Sequence, residues 1–445
     1  MLADLRAIVG IDHAFVDDVG TYSVDWTKRF GAPGAVVVRP GSVDEVVAVV
    51  DWCRDRSVAV VPQGGNTGLV GGGVPLDGEI VLSTRRLDAI EPVDATSRQV
   101  TVGSGATLAA VQYAAEQAGL RYAVDFGARG SATIGGTVAT NAGGVNVLRY
   151  GMTRRQLVGI EAVLGDGRVL GHLSGLEKDN TGFDLVSLLC GSEGTLGIVT
   201  AARVRLVPRA THVSTCLVGF ATTEEAVRAV GVIRSGTDSL DAAELMLDSG
   251  VRLVGEAFGV DSPFDAPVYV LLEASADHDP SEQIEILLSG CEGVTEVAVA
   301  VDARTRRDLW RLRDEHTAAI GTRGVPRKFD VTVPVGDLAE FIEAVTGRVS
   351  KASLASETFV FGHVADGNMH VNVLGGDDDE VIEETVLGLV LEHGGSVSAE
   401  HGVGRLKKAW MPRQRSTVDL DLMRAIKRAC DPGLILNPHV LLDTW

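Results

Sequence analysis

The sequence predicts an α+β protein with two or three domains. In the first half, short apolar runs rich in β-branched residues alternate with amphipathic helical patterns, and glycine clusters follow these runs. From His212 to about Lys351 the composition changes to short strands that alternate with amphipathic helices. The 445 residues are 45% hydrophobic but only 5% aromatic, which indicates a large core of Val, Ala and Leu.

The bulk charge excludes some classes of partner. A net charge of −20 argues against nucleic acid or an anionic membrane surface. No apolar run approaches the roughly 20 residues that span a bilayer, and no signal peptide is recognisable. The five cysteines are widely spaced, without a CxxC pair, as in proteins of a reducing compartment. We therefore expect a soluble cytoplasmic protein.

The first regular elements lead into a glycine-rich loop. Strands are predicted at Ala35–Val38 and Val58–Val61, with a helix between them that opens on the capping box Ser42-x-x-Glu45. The loop from Pro62 to Gly73 offers many backbone N–H groups and few side chains, which is typical of phosphate-binding loops. The alternative is a flexible surface loop. Further elements are predicted as strands at Ile80–Ser83, Gln99–Gly103 and Ile198–Val207 and a helix from Thr107 to Gly119.

Two more glycine clusters lie at residues 126–144 and 191–197. The first consists almost entirely of small residues, so a flat aromatic ligand could lie directly against its backbone. None of the three clusters has the G-x-G-x-x-G spacing of a Rossmann turn, and no Gly-Lys dipeptide supports a P-loop. A nucleotide would therefore be held in another way.

The sequence from Phe361 to Asn372 predicts a β-hairpin that brings two histidines together. If Asp366-Gly367 forms a two-residue type I′ turn, His363 and His370 face each other with Cβ atoms roughly 5 Å apart. Two imidazoles on one face can share a metal ion. The alternative is two histidines that make ordinary hydrogen bonds on a polar sheet face.

A carboxylate is the usual third ligand of a metal site with open positions. Glu400 offers that carboxylate after the strand-like segment Gly395–Ala399, and His401 stands beside it.

The order of the motifs resembles one flavoprotein family. PQGGNTGLVGG, ATIGGTVATNAGG and GSEGTLGI resemble the FAD-binding domain of vanillyl-alcohol oxidase-type flavoproteins. HVADGNMH and AEHGVGRLK resemble the C-terminal half of the D-2-hydroxyacid dehydrogenase branch, which includes D-lactate, glycolate and D-2-hydroxyglutarate dehydrogenases. The likeness runs from about Val36 to Pro438, and five motifs in the family's order make it specific.

The resemblance implies a two-subdomain FAD-binding domain of the vanillyl-alcohol oxidase type and an α+β cap domain with an antiparallel sheet. The implied segments are an N-terminal helical segment at 1–33, the FAD domain at 34–211, the cap at 212–395 and a C-terminal segment at 396–445 that returns to the FAD domain. FAD should be non-covalent, because the 62–73 loop has neither histidine nor cysteine. The implied FAD contacts are Pro62, Gln63, Gly64, Gly65, Asn66, Thr67, Gly68, Leu69, Gly127, Ser131, Thr133, Ile134, Gly135, Gly136, Ala139, Thr140, Asn141, Gly143, Gly144, Glu193, Gly194, Gly197, Ile198 and Asn437.

A carboxylate clamp is implied within the cap. Trp310, Arg313 and Thr317 are predicted on one stripe of a helix, and Lys328 lies on the following half-buried strand with Asp330 and Thr332 on its face. The resemblance implies that Arg313, Thr317 and Lys328 hold the distal carboxylate of a 2-hydroxy dicarboxylate, with Asn372 also touching substrate. A solvated basic face is the alternative, and it suits Arg306 and Arg307 better.

The resemblance also implies the chemistry. A divalent metal on His363, His370 and Glu400, with zinc favoured over iron or manganese, would chelate the α-carboxylate and 2-hydroxyl. His401 would contact substrate and take the hydroxyl proton, while C2 passes hydride to flavin N5. D-2-hydroxyglutarate is the favoured substrate; D-lactate, glycolate, an oxygen-using oxidase and a non-catalytic flavin-binding subunit are the alternatives.

The resemblance also implies partners, and the sequence differs from the family pattern at one place. The acceptor of the electrons would be an electron-transfer flavoprotein or a quinone, and a homodimer is one option for the assembly. Where the family continues Asn-Pro-Gly-Lys, this chain has Asn437-Pro438-His439-Val440, which puts a role for the usual lysine in doubt.

Overall fold

The structure is a computed structural model that describes residues 1–32, 36–353, 355–376 and 378–443. The predicted boundary between residues 33 and 34 and the predicted strand residue Ala35 lie outside these residues. The chain forms two compact units: the first comprises residues 1–144, 151–209 and 400 to the C-terminus, and the second comprises residues 145–150 and 210–399. The chain therefore enters the second unit twice, and the first entry is a six-residue segment.

The strands have the following bounds: β1 (Ala14–Phe15), β2 (Val36–Val38), β3 (Val60–Gln63), β4 (Ile80–Ser83), β5 (Gln99–Gly103), β6 (Leu120–Arg121), β7 (Leu157–Val163), β8 (Val169–His172), β9 (Ile198–Arg205), β10 (Val207–Pro208), β11 (His212–Phe220), β12 (Leu240–Leu247), β13 (Val268–Ala276), β14 (Val294–Val299), β15 (Arg327–Thr332), β16 (Glu357–His363) and β17 (Asn368–Leu374).

The α-helices have the following bounds: α1 (Leu2–Val9), α2 (Gly20–Ser23), α3 (Val43–Arg54), α4 (Leu108–Gln117), α5 (Ile134–Thr140), α6 (Val147–Tyr150), α7 (Thr153–Gln156), α8 (Leu185–Leu189), α9 (Thr223–Gly236), α10 (Asp248–Phe258), α11 (Ser281–Ser289), α12 (Ala303–Asp314), α13 (His316–Arg323), α14 (Leu338–Ala352), α15 (Asp379–Glu392), α16 (Met411–Gln414) and α17 (Thr417–Cys430). In the described part of the chain, no helix is both long and apolar enough to cross a membrane.

The first unit contains two larger sheets. In the described residues, one has the order β1-β2-β4-β3, with β2, β4 and β3 parallel, and the other is the antiparallel order β5-β9-β7-β8. Ser42 caps α3 by accepting from the Glu45 backbone N–H, as the capping box predicts. Helix α3 buries Val46, Val49 and Val50 in a core of Val, Ile and Leu side chains.

The second unit is built on one antiparallel sheet. Over the described residues its order is β14-β11-β13-β12-β16-β17-β15. Segment 145–150 belongs here because the Arg149 guanidinium donates to the Asp241 carboxylate and the Ser275 carbonyl, each at 2.7 Å. The α+β class with an antiparallel cap sheet is thus confirmed.

The register of the hairpin differs from the prediction. Strands β16 and β17 pair Phe361 with His370 and His363 with Asn368, so a four-residue loop, not a two-residue turn, joins them. Neighbouring elements hold this loop open, because the Arg234 guanidinium donates to the Ala365 carbonyl at 2.6 Å and the Val333 N–H donates to the Gly367 carbonyl at 3.1 Å. The predicted direct pairing of the two histidines is wrong.

Two smaller predictions are also wrong. The predicted single helical stripe is interrupted, because α12 ends at Asp314 and a new helix, α13, begins at His316. The predicted strand Gly395–Ala399 makes only an isolated bridge between Ser396 and Thr332. Packing accounts for both differences. His316 is buried, with 1% of its surface exposed. A Cβ atom on Gly395 would lie only 2.3 Å from the Thr332 carbonyl oxygen, so only glycine fits there.

Candidate functional site

One face of the sheet in the second unit carries most of the polar residues that the sequence analysis singled out. The register sets Lys328 opposite Asn372 and Asp330 opposite His370. Side chains alternate along a strand, so these four residues share a face. The predicted strand is confirmed, but its burial does not alternate, because Asp330 is buried together with Phe329 and Val331.

His363 joins the same face. The register is displaced from the predicted one by an even number of residues, and an even displacement leaves a side chain on the same side of the sheet. The rings of His363 and His370 lie 5.7 Å apart, centroid to centroid. His370 Nδ1 is 3.6 Å from an oxygen of the buried Asp330 carboxylate, which also accepts from the Asn368 amide at 2.9 Å.

A buried carboxylate that the sequence analysis did not single out lies behind His363. Glu244 is opposite His363 in the register, is 0% exposed and approaches His363 Nδ1 at 2.5 Å. Its second oxygen accepts from Arg313 Nε at 2.6 Å. Burial by itself would raise the pKa of Glu244, but its contacts with His363 and Arg313 lower it below the usual value of a glutamate. The available signal was a glutamate inside a strand whose other residues, apart from Asp241, are apolar.

Phe361 connects the same groups through its ring. The Arg313 guanidinium lies 4.8 Å from the ring centroid, within the range of a cation–π contact. The His370 ring lies 5.3 Å from Phe361 and the buried His316 ring 4.7 Å. These contacts fix the Arg313 side chain, which is only 11% exposed.

The structure places the other residues that the sequence analysis singled out with Arg313 in different settings. Trp310 donates to Glu273 at 2.6 Å, away from Glu244. Thr317 is exposed on α13. Lys328 is half-buried, and this burial lowers the pKa of its ammonium group. The side chains of Arg313 and Lys328 are therefore both shielded from solvent. Arg306 instead forms a bidentate ion pair with Glu273, with both N–O distances at 2.7 Å.

The predicted cofactor loop lies in the first unit. Pro62 and Gln63 end β3, and Gln63 is anchored by its side-chain amide, which donates to Tyr22 O at 2.8 Å and Gly73 O at 2.7 Å. Among the described residues, no backbone N–H of residues 65–68 donates a hydrogen bond within the protein. A Cβ on Gly68 would meet nothing within 4 Å. Such N–H groups suit an anionic ligand.

The second glycine cluster packs on this loop. A Cβ on Gly64 would lie 2.1 Å from Thr133 Oγ1, and one on Gly65 would lie 2.1 Å from Ser131 O. Thr133 in turn caps α5, which contains the predicted contacts Ile134, Gly135, Gly136, Ala139 and Thr140. The two predicted cofactor segments are thus adjacent. At the end of this cluster, the Gly144 N–H donates to the Glu400 carboxylate at 3.1 Å.

The third cluster supports the C-terminal motif. Glu193 accepts from the backbone N–H groups of Val403 and Gly404 at 2.8 Å each, and burial raises its pKa to about 7. A Cβ on Gly194 would meet Pro62 at 3.1 Å. The Asn437 amide donates to Gly72 O and Glu193 O, each at 2.8 Å. Asn437 and Glu193 therefore brace the glycine loops through these hydrogen bonds.

Arg405 is a second residue that the sequence analysis did not single out. It is 7% exposed, and none of its three guanidinium nitrogens has a hydrogen-bond partner within the described residues. Its Nη2 atom lies 4.0 Å from the Glu79 carboxylate. His439, at the departure from the family pattern, approaches Glu79 at 3.3 Å, and Val440 is fully buried.

The residues present fit both groups that the resemblance implies. Within the described residues, the buried Arg405 guanidinium and the backbone N–H groups of residues 65–68 have no hydrogen-bond acceptor, and FAD offers acceptor oxygens on its phosphates and ring. A histidine whose Nδ1 contacts a buried carboxylate has the usual setting of a metal ligand. FAD would be held by the 62–69 and 131–144 segments with Arg405, and a metal by His363 and His370.

Two protein families match the chain. The family described as "FAD binding domain" matches residues 33–171. The family described as "FAD linked oxidases, C-terminal domain" matches residues 209–441.

Curated relatives extend over almost the whole chain. A D-2-hydroxyglutarate dehydrogenase of Xanthomonas citri pv. viticola is 37% identical over 442 residues, which cover 96% of this chain and 93% of the relative. The mitochondrial D-2-hydroxyglutarate dehydrogenase of Bos taurus is 36% identical over 440 residues, covering 95% of this chain and 79% of the relative.

Solved structures share the fold. p-Cresol methylhydroxylase superposes with a TM-score of 0.78 at 16% identity, covering 99% of this chain and 96% of that one. Alkyldihydroxyacetonephosphate synthase gives a TM-score of 0.76 at 17% identity, with 98% and 85% covered. The predicted vanillyl-alcohol oxidase type of fold is confirmed.

Proposed function

The chain belongs to the family of FAD-linked D-2-hydroxyacid dehydrogenases and is an FAD-dependent oxidoreductase, and we propose from this that it oxidises D-2-hydroxyglutarate to 2-oxoglutarate with the help of a divalent metal ion. The observation that carries the proposal is the shared sheet face of Lys328, Asn372, His370 and Asp330, which His363 joins.

The two ends of the substrate would be recognised by different residues. Lys328 supplies a point charge and Arg313 a planar fork of donors for the distal carboxylate. Asn372, which is 3% exposed and opposite Lys328, supplies an amide between them and the histidines. Thr317 is the weakest member of the clamp because it is exposed.

His363 and His370 would hold the metal ion. Because Nδ1 of His363 contacts Glu244, the ligand atom of this histidine would be Nε2. A bound divalent ion would supply Lewis acidity toward the substrate hydroxyl, and zinc, iron and manganese all suit imidazole ligands. Glu400 and His401 belong to the first unit. Their roles, as third ligand and as general base toward the hydroxyl proton, rest on the sequence alone.

The first unit would hold FAD without a covalent bond. When bound, FAD would accept hydride from substrate C2 at N5. The N–H groups of residues 65–68 would face its phosphates, and Arg405 would donate to acceptor oxygens of the cofactor. An electron-transfer flavoprotein or a quinone would then reoxidise the flavin. All five cysteines are free thiols, which supports a reducing compartment such as the cytoplasm.

The test is anaerobic mixing of the purified, FAD-loaded and metal-replete protein with D-2-hydroxyglutarate, D-lactate, glycolate and D-malate, followed by flavin absorbance. Rapid bleaching by D-2-hydroxyglutarate and slow bleaching by D-lactate would support the proposal. Preference for D-lactate or glycolate would keep the reaction but return Arg313 and Lys328 to structural roles. No bleaching by any of these acids would overturn the proposed reaction.

A further inference from the structure

Glu244 is a buried carboxylate that contacts residues of both predicted halves of the site. Its Oε1 contacts His363, a predicted metal ligand, and its Oε2 contacts Arg313, a predicted carboxylate ligand. It lies on β12, in a strand whose other residues are apolar, apart from the buried Asp241. The proposed function uses the contact with His363 but assigns no role to the contact with Arg313.

The contact with His363 determines how that ring can act. A carboxylate oxygen accepts, so a hydrogen bond at 2.5 Å requires the proton on Nδ1 and leaves Nε2 as the basic nitrogen. The opposite tautomer would put two acceptors against each other. Glu244 therefore selects the form of His363 that binds a metal ion through Nε2.

The contact with Arg313 determines the direction of the guanidinium. Glu244 engages Nε, and the Phe361 ring lies against the guanidinium at 4.8 Å. With Nε held, the Nη groups are the donors that can meet a substrate carboxylate in a two-pronged arrangement. The Glu244 carboxylate thus positions both the His363 imidazole and the Arg313 guanidinium.

We propose that Glu244 is a positioning residue that couples the metal site to the distal-carboxylate site, so that metal affinity and preference for a dicarboxylate depend on one side chain. This inference rests on the proposed function. It predicts that a change at Glu244 alters both properties together, although Glu244 touches neither ligand.

The structure offers a matched control. Glu273, on the adjacent strand β13, is also a buried carboxylate paired with an arginine; it accepts from Arg306, Trp310 and Thr215 at 2.6 to 2.8 Å. It contacts no histidine among the described residues. Glu273→Gln therefore measures the general cost of neutralising a buried carboxylate in this unit.

The experiment compares Glu244→Gln, Glu244→Asp and Glu273→Gln in the full-length, FAD-loaded protein. Zn²⁺ affinity is measured on metal-stripped protein by competition with a chelator, and kcat/KM is measured for D-2-hydroxyglutarate and D-lactate. We expect Glu244→Gln to weaken Zn²⁺ binding by roughly 10- to 100-fold and to lower the ratio of the two kcat/KM values by about tenfold, the factor that one well-placed charged hydrogen bond provides. Glu273→Gln should leave both quantities within about threefold of wild type, because in the described residues Glu273 contacts neither His363 nor Arg313 and changes at sites without shared partners are nearly independent.

A third measurement is independent of catalysis. Nitrogen NMR of ¹⁵N-histidine-labelled, metal-free protein should show His363 with its proton on Nδ1 in the wild type and a shift toward Nε2–H in Glu244→Gln. Wild-type Zn²⁺ affinity and an unchanged tautomer in that variant would overturn the inference even if the enzyme is active. If no 2-hydroxy acid is oxidised, the tautomer and the Zn²⁺ affinity still decide the role of Glu244. If Glu244→Gln does not fold, Glu244→Asp keeps the charge but shortens the side chain, and wild-type Zn²⁺ affinity and an unchanged tautomer in it would equally overturn the inference.

Discussion

The rings of His363 and His370 lie 5.7 Å apart and are inclined by 76°, although the two residues are not paired across the hairpin. His370 is paired with Phe361, and His363 reaches it along the diagonal of the sheet. Diagonal neighbours on one face remain within reach of side chains as long as histidine. The pair can therefore serve as two ligands without the tight turn that the sequence suggested.

Removal of the His370 side chain should lower metal binding and leave FAD binding unchanged. In His370→Ala, metal affinity should fall at least tenfold, as expected when one of few ligands is lost, while the FAD content stays at the wild-type level. Elemental analysis and the flavin absorbance of the same sample measure both. The control is His393→Ala, because His393 packs edge-on against Phe341 and lies outside the sheet face. Full metal content in His370→Ala would refute the ligand assignment.

Lys328→Ala should affect dicarboxylate substrates selectively. A hydrogen bond to a charged group contributes about 1.5–3 kcal/mol, so KM for D-2-hydroxyglutarate should rise roughly 10- to 100-fold, while KM for D-lactate changes little. Steady-state kinetics with both acids measure the difference. Lys351→Ala, at an exposed lysine of α14, is the control. An equal rise for the two acids would show that Lys328 does not bind the distal carboxylate.

Arg405→Met should weaken FAD binding. The guanidinium is buried without hydrogen-bond partners among the described residues, so the acceptors supplied by the cofactor should contribute roughly tenfold or more to the affinity. Fluorescence titration of the apoprotein with FAD measures the dissociation constant. Lys408→Met is the control, because Lys408 already pairs with Asp443 at 3.0 Å.

The competing role of Arg405 is a structural pair with Glu79. In that case Arg405→Met would lower the melting temperature of the apoprotein but leave the FAD dissociation constant unchanged.

His316 should make the second unit sensitive to acid. Burial, with a further contribution from the Arg313 charge, lowers the pKa of His316 to about 3, whereas the unfolded chain titrates near 6.5. The folded state therefore stays neutral while the unfolded state takes up a proton, and stability should fall by about 1.4 kcal/mol per pH unit as the pH drops from 6.5 toward 3. Denaturant unfolding of wild type and His316→Leu at pH 7 and pH 5 measures this slope. The control is His212→Gln, a change at an exposed histidine, which should keep the wild-type slope. A wild-type slope in His316→Leu would contradict the assignment.

Local signals predicted the early elements well. Strands Ile80–Ser83 and Gln99–Gly103 lie where the apolar runs predicted them, and Ser42 caps its helix. These features depend on a few neighbouring residues, so a single sequence contains the information. The glycine clusters were likewise recognisable because their composition is so unusual.

Features decided by distant residues could not be predicted in this way. The hairpin loop has four residues because Arg234 and Val333 hold it, and neither is near it in sequence. The role of Glu244 depends on strands β12 and β16 lying side by side, which no local pattern indicates. The interruption before His316 likewise follows from burial of that ring against Phe361.

The order of the chain has a consequence for biosynthesis. The Val60 carbonyl accepts from the Asn437 N–H at 2.8 Å, and the fully buried Lys427 donates to the Thr195 carbonyl at 2.7 Å. On the ribosome, the partners of Val60 and Thr195 emerge hundreds of residues after them. The continuous stretch 210–399 can fold while translation proceeds, but the first unit has to wait for residues 400–443. Flavin loading is therefore expected to follow the synthesis of these residues.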